Sequence, residues 1–203
     1  MRSSIEPVFD PTGPVLGIDP GVSRCGYGAV SGRTATGRGS ECRAVSFGVI
    51  RTAPELALPE RLGRLQGELE ALIEELRPSA VAVERVLFQV NVRTAMSVGQ
   101  ASGLALATAA RAGIPVAQYS PNEVKLAVAG YGNAEKGAVQ AMVVRLLNLP
   151  GPPGSPDAAD ALALGLCHLW GAKLHATRDS AREPASGYAQ AVAAALAKDA
   201  GTR

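Results

Sequence analysis

The sequence predicts an α/β domain with a mixed five-stranded sheet flanked by helices. Three observations point there. Three strand-like runs follow one another near the start, which requires antiparallel neighbours. A strand–helix–strand unit follows, whose crossover requires parallel ones. Between and after these lie segments whose apolar residues recur at helical spacing.

The first strand is the apolar run Pro14–Asp19, closed by Pro20-Gly21 and ending on an acid; residues 1–13, with two prolines and no periodicity, read as a flexible leader. Gly26–Val30 and Ala44–Ile50 are the next two strands. The Gly/Ser/Thr-rich stretch Ser31–Arg43, which carries Arg33, Arg38 and Arg43, reads as their connection. After Pro59, the residues Leu62, Leu65, Leu69, Leu72, Ile73 and Leu76 return at steps of three and four, an amphipathic helix stopped at Arg77-Pro78. Ala80–Val83 is a fourth strand, again followed by an acid, Glu84. A small-residue helix from about Arg93 to Ala112 leads through Gly113 to the fifth strand, Pro115–Tyr119.

Ser120-Pro121-Asn122-Glu123 combines an N-cap serine, a proline at the first helical position and a glutamate at the third, so a helix starts there and ends near Gly130. Another spans about Ala134 to Leu149. The run Pro150–Pro156 breaks the chain, and Asp157–Trp170 is the next helix, its alanines and Gly165 permitting a close fit on the sheet. Residues 14–170 thus form one domain. Residues 171–203 are a polar tail with one possible helix, to which the sequence assigns no role.

Composition sets limits on function. The chain has 203 residues, near the size of one domain with a tail, and its 23 glycines and 14 prolines stay below the roughly 25–30 % of low-complexity chains. Three cysteines, Cys25, Cys42 and Cys167, are odd in number and in no C-x-x-C pattern, so neither a disulfide framework nor a zinc site is indicated and a reducing cytoplasm is expected. The most apolar stretch, Ala101–Ala110, is about half the ~20 residues of a membrane helix, so no membrane partner is expected. A net charge of +2 argues against a surface basic all round.

Four carboxylates stand out. Asp19 and Glu84 each end an apolar strand, and Asp157 and Asp160 open a helix three residues apart, on one face. Singly, each has an ordinary role as turn residue, cap or favourable charge in a first helical turn. Together they form an oxygen-rich site whose repulsion a proton or a cation must relieve. With no Cys or His at ligand spacing, a hard ion such as Mg²⁺ or Mn²⁺ suits it better than zinc.

These segments carry a resemblance. Gly17-Ile18-Asp19-Pro20-Gly21 with Cys25-Gly26-Tyr27-Gly28, then Ala82-Val83-Glu84, Asn91, Gly99-Gln100-Ala101, Ala134-Glu135-Lys136 and Asp157-Ala158-Ala159-Asp160-Ala161-Leu162-Ala163, in that order, resemble the RuvC family of bacterial Holliday-junction resolvases over about Val15–Trp170. The resemblance implies a ribonuclease H-like fold and a homodimer that nicks two opposed strands of a four-way DNA junction. It places the family's metal-binding acids on Asp19, Glu84, Asp157 and Asp160. Two Mg²⁺ per subunit, replaceable by Mn²⁺, would hold the scissile phosphate, and the product would carry a 5′ phosphate.

Lys125 and Lys136 match family lysines beside the cleft, with Lys136 the candidate for aiding catalysis; a solvated lysine on a helix face is the ordinary alternative. Arg85 and Arg93 are weaker candidates for phosphate contact. Many relatives carry an aromatic three residues after the glutamate, where this chain has Leu87, followed by Phe88; either is a candidate junction wedge, and core packing is the alternative for Phe88. Tyr27, Tyr119, Tyr131 and His168 read as structural. The resemblance also implies the RuvA and RuvB branch-migration complex as partners, and DNA recombination and repair as the setting. The small-residue helix from Arg93 is the expected dimer contact.

Three other readings compete. A ribonuclease H-like nuclease acting on RNA or an RNA–DNA hybrid would use the same acids but needs no paired sites. An actin-like kinase needs a far longer chain. A non-catalytic junction-binding module would not need all four acids. Setting the four acids aside with their cations moves the remaining subunit from +2 to +6, a moderately basic surface.

Overall fold

A computed structural model of the chain describes residues 12–33, 41–85 and 92–179. Its five strands are β1 (Val15–Asp19), β2 (Arg24–Arg33), β3 (Glu41–Arg51), β4 (Ala80–Glu84) and β5 (Val116–Tyr119). They lie in the order β3-β2-β1-β4-β5. The β1–β2 and β2–β3 pairs are antiparallel, and β1–β4 and β4–β5 are parallel, so the sheet is mixed as the sequence predicts. The helices are α1 (Leu58–Leu76), α2 (Val92–Arg111), α3 (Pro121–Ala129), α4 (Lys136–Leu146) and α5 (Pro156–Asp179).

Strand alternation divides the core in two. Leu16 and Ile18 of β1 and Val81 and Val83 of β4 pack with Leu65, Leu69 and Ile73 of α1 and Ala101, Ala105 and Ala109 of α2. Val15 and Ala82 point the other way, into a core with Val124, Val139, Val143, Leu162 and Leu166. On that face α5 sits directly on the sheet backbone: a Cβ on Gly17 would lie 2.0 Å from the Ala161 carbonyl oxygen, and one on Gly26 would lie 2.1 Å from that of Asp157. Only glycine permits this approach, and it sets the depth of the acid-bearing first turn of α5.

Several boundaries differ from the sequence reading. The two ends of the stretch read as a connection from Ser31 to Arg43 are strand, because Ser31 pairs with Arg43, Gly32 with Cys42 and Arg33 with Glu41 across the β2–β3 ladder; residues 34–40, Arg38 among them, lie outside the described residues. The α4 helix ends at Leu146 rather than Leu149. The α5 helix passes Trp170 and Gly171 and continues to Asp179, since one helical glycine costs only about 1 kcal/mol. The capping box holds: Ser120 accepts from the Glu123 N–H, and the Glu123 carboxylate accepts from the Ser120 N–H. Tyr119 is buried and its hydroxyl lies 2.8 Å from His168 Nδ1, a structural pairing, whereas Tyr131 is exposed rather than packed. Cys25, Cys42 and Cys167 are buried and not joined in disulfides. Among the described residues no helix is long and apolar enough to cross a membrane.

Candidate active site

The sheet's strand order brings two of the acids together. β1 and β4 are parallel neighbours with Ile18 opposite Val83, so Asp19 and Glu84 leave the same end of adjacent strands. Asp19 also pairs across the antiparallel ladder with Gly26, over which the first turn of α5 is seated. That turn supplies Asp157, and Asp160 follows one turn on. Lys136, the first residue of α4, places Nζ 2.6 Å from Asp160 Oδ2.

Three of the acids depart from their ordinary carboxylate range. Burial, reinforced by the Glu84 and Asp160 charges, raises the Asp19 carboxyl from 3.8 to about 8, and its hydrogen bond with Glu84 and the charge of Asp157 act the same way. Burial also raises Glu84, against the Asp19 hydrogen bond and the Lys136 charge that pull it down. The two therefore share a proton near neutrality. Asp157 goes the other way: burial works to raise it, but hydrogen bonds from Arg24 and Ser155, with the charges of Arg24 and Lys136, hold it below the usual carboxylate range. The hydrogen bond to Asp160 raises Lys136, which stays an ammonium.

No three carboxylate, imidazole or thiol groups among the described residues are gathered as a ready-made ligand cluster. The acids instead hold a shared proton, Arg24 and Lys136. The donor set nonetheless fits an oxygen-preferring divalent cation: it is all carboxylate, it converges on one end of the sheet, and it holds protons through burial and mutual repulsion, which a cation relieves.

A cavity of about 220 Å³ is lined by Glu84 and Asp160, by Lys125 and Lys136, and by the apolar side chains of Val124, Val139 and Leu164. Both candidate lysines thus line one cavity with two of the acids. Arg85 is exposed beyond the end of β4, its Nη2 donating to the Gln118 carbonyl at 3.0 Å. Arg93 lies in α2, with its side chain outside the described residues, as are Leu87 and Phe88 altogether. The sequence reading passed over Arg24 and Ser155. Ser155 had a signal, a serine two residues before an acid at a helix start, whereas Arg24 meets Asp157 only once α5 is docked.

Comparison with known proteins gives a consistent answer. The family described as "Crossover junction endodeoxyribonuclease RuvC" matches residues 15–168. The protein of that description from Salinispora arenicola is 52 % identical over 172 residues, covering 83 % of this chain and 96 % of its own. The solved structure of Thermus thermophilus RuvC in complex with a Holliday junction substrate superposes with a TM-score of 0.74 at 37 % identity, covering 80 % of this chain and 96 % of that one. A yeast mitochondrial Holliday junction resolvase, 19 % identical with 86 % of each chain covered, shares the fold at a TM-score of 0.57.

Proposed function

The chain belongs to the RuvC family of crossover junction endodeoxyribonucleases, with a ribonuclease H-like fold, and from that premise we propose that it resolves four-way DNA junctions by paired, symmetric nicks that leave 5′ phosphates. The observation that carries this reading is the convergence of two strand-end acids with the two acids of α5 at one end of the sheet.

In this reading Asp19, Glu84, Asp157 and Asp160 hold divalent cations, Mg²⁺ by preference with Mn²⁺ as substitute, two per subunit. Bound there, the cations supply Lewis acidity to the scissile phosphate and lower the pKa of the attacking water. Asp19 and Glu84 must give up their shared proton when they ligate, so their charge becomes available where phosphate and water meet. Lys136 leaves Asp160 and donates to a non-bridging phosphate oxygen, offsetting charge that develops in the transition state. Lys125, which lines the same cavity, anchors the next phosphate along the strand, and Arg85 and Arg93 contact backbone further out. Leu87 or Phe88 wedges between bases at the crossover.

Two strands must be cut symmetrically, so the working unit is a homodimer with two-fold-related sites. It acts on junctions delivered by RuvA and RuvB, in the cytoplasm, within recombination and repair. A synthetic mobile four-way junction tests this directly. Symmetric nicks with Mg²⁺, none with EDTA, a dimer mass by light scattering and no nicking by Asp19→Asn are the expected results. Undiminished nicking by Asp19→Asn, or preferred cleavage of an RNA–DNA hybrid in competition, would refute it.

A further inference from the structure

Asp157 is held unlike the other three acids. Arg24, at the start of β2, donates from Nε to Asp157 Oδ2 at 2.7 Å, and its Nη2 lies 2.6 Å from the same oxygen. The Ser155 hydroxyl donates to that oxygen too, at 3.0 Å, while accepting from Arg24 Nη2 at 2.8 Å and from the Asp157 N–H at 3.2 Å. Two hydrogen bonds and an ion-pair contact therefore meet on Oδ2, and Oδ1 takes none of them. The carboxylate cannot turn about its Cβ–Cγ bond without breaking all three.

The clamp is itself anchored. Thr52 is buried; its hydroxyl donates to the Val22 carbonyl at 2.6 Å and its N–H to the Ser23 carbonyl at 3.3 Å. Arg61 of α1 donates to the Thr52 hydroxyl at 2.9 Å and to the Ser23 hydroxyl. The turn preceding Arg24 is thus tied to the residue that follows β3 and to α1. Arg24 leaves a fixed base and reaches a carboxylate 133 residues later in the chain.

We propose that Arg24 and Ser155 are positioning residues for Asp157, clamping Oδ2 so that Oδ1 is the oxygen through which Asp157 takes a divalent cation. This rests on the reading of Asp157 as a metal ligand. Partners that orient a ligand are commonly worth 10–100-fold in metal affinity. Arg24 also carries a positive charge that repels an incoming cation, so charge and geometry act in opposite directions and removing the side chain would confound them. Changes that conserve charge separate the two. Lysine keeps the charge but lacks the planar fork that reaches Oδ2 twice and Ser155 once.

The test is calorimetric titration of the full-length protein with Mn²⁺ in the absence of DNA. Arg24→Lys and Ser155→Ala should each weaken binding about tenfold, with melting in EDTA close to that of the parent. Junction cleavage lost at low Mg²⁺ should return when Mg²⁺ is raised. The double variant should fall short of the product of the two effects, because both act on one oxygen. If Arg24→Lys does not fold, Ser155→Ala carries the same test. Parent-like Mn²⁺ affinity in a folded variant, while the parent binds Mn²⁺ and cuts junctions, would overturn the positioning role alone. A parent that binds no Mn²⁺ would remove the metal reading, and this inference with it.

Discussion

Replacing Asp19 by asparagine tests the electrostatics of the site without any DNA present. Burial, followed by the Glu84 and Asp160 charges, raises this carboxyl from 3.8 to about 8. A group whose folded-state pKa lies above its unfolded value binds more protons when folded, so stability falls as pH rises between those two values and levels above the higher. At 1.36 kcal/mol per pH unit, ionising the buried acid costs about 6 kcal/mol. The proton is shared with Glu84, which burial also raises, so the cost belongs to the pair, and neutralising one member relieves on the order of half, about 3 kcal/mol. For a chain of this size that is about 6–12 °C in Tm. Melting of parent and Asp19→Asn would be followed in EDTA from about pH 4 to pH 9. The variant should gain little at the acid end, its advantage widening up to about pH 8 and flattening above. An advantage independent of pH, or a variant less stable than the parent at pH 9, would refute the shared-proton account.

The same protonation predicts that Mn²⁺ affinity rises with pH up to about 8, with proton release visible when calorimetry is repeated in buffers of different ionisation enthalpy. Gly26→Ala puts a Cβ 2.1 Å from the Asp157 carbonyl oxygen, so the first turn of α5 must lift by about 1 Å; cleavage should fall about 10²-fold and stability by about 1–3 kcal/mol, read by junction nicking and urea melts. Lys136→Ala should lower the cleavage rate by more than tenfold while gel shifts show nearly unchanged junction affinity; equal losses would make Lys136 an anchor only. Arg77, the C-cap of α1, has φ 44°, a left-handed conformation that favours glycine, so Arg77→Gly should stabilise by about 1 kcal/mol in thermal melts.

What the chain reveals in advance, and what it hides, follows the reach of the interactions concerned. The acids are visible because each is marked locally: Asp19 and Glu84 close apolar strands, and Asp157 and Asp160 sit three apart at a helix start. Their meeting is conditional in the sequence on the two strands being neighbours, and the parallel β1–β4 pair meets that condition by putting both strand ends on one side. The extent of β2 and β3 is not marked locally, since Ser31, Gly32, Cys42 and Arg43 are strand only by virtue of pairing with each other. The end of α5 misleads for a related reason, as Gly171 has a helix-stopping composition but is carried by the turns on either side. Electrostatic partnership is the least local property of all. Four carboxylates that look alike in the sequence divide into a proton-sharing pair, one held by an ammonium and one clamped by a guanidinium, and each distinction comes from a partner on another element. Arg24 shows how far this goes: nothing beside it in the sequence marks it, and it acquires meaning only because Gly26, two residues on, lets α5 come down far enough for Asp157 to meet it. A relative that kept all four acids but lost the glycine would keep the carboxylates and lose the geometry that sorts them.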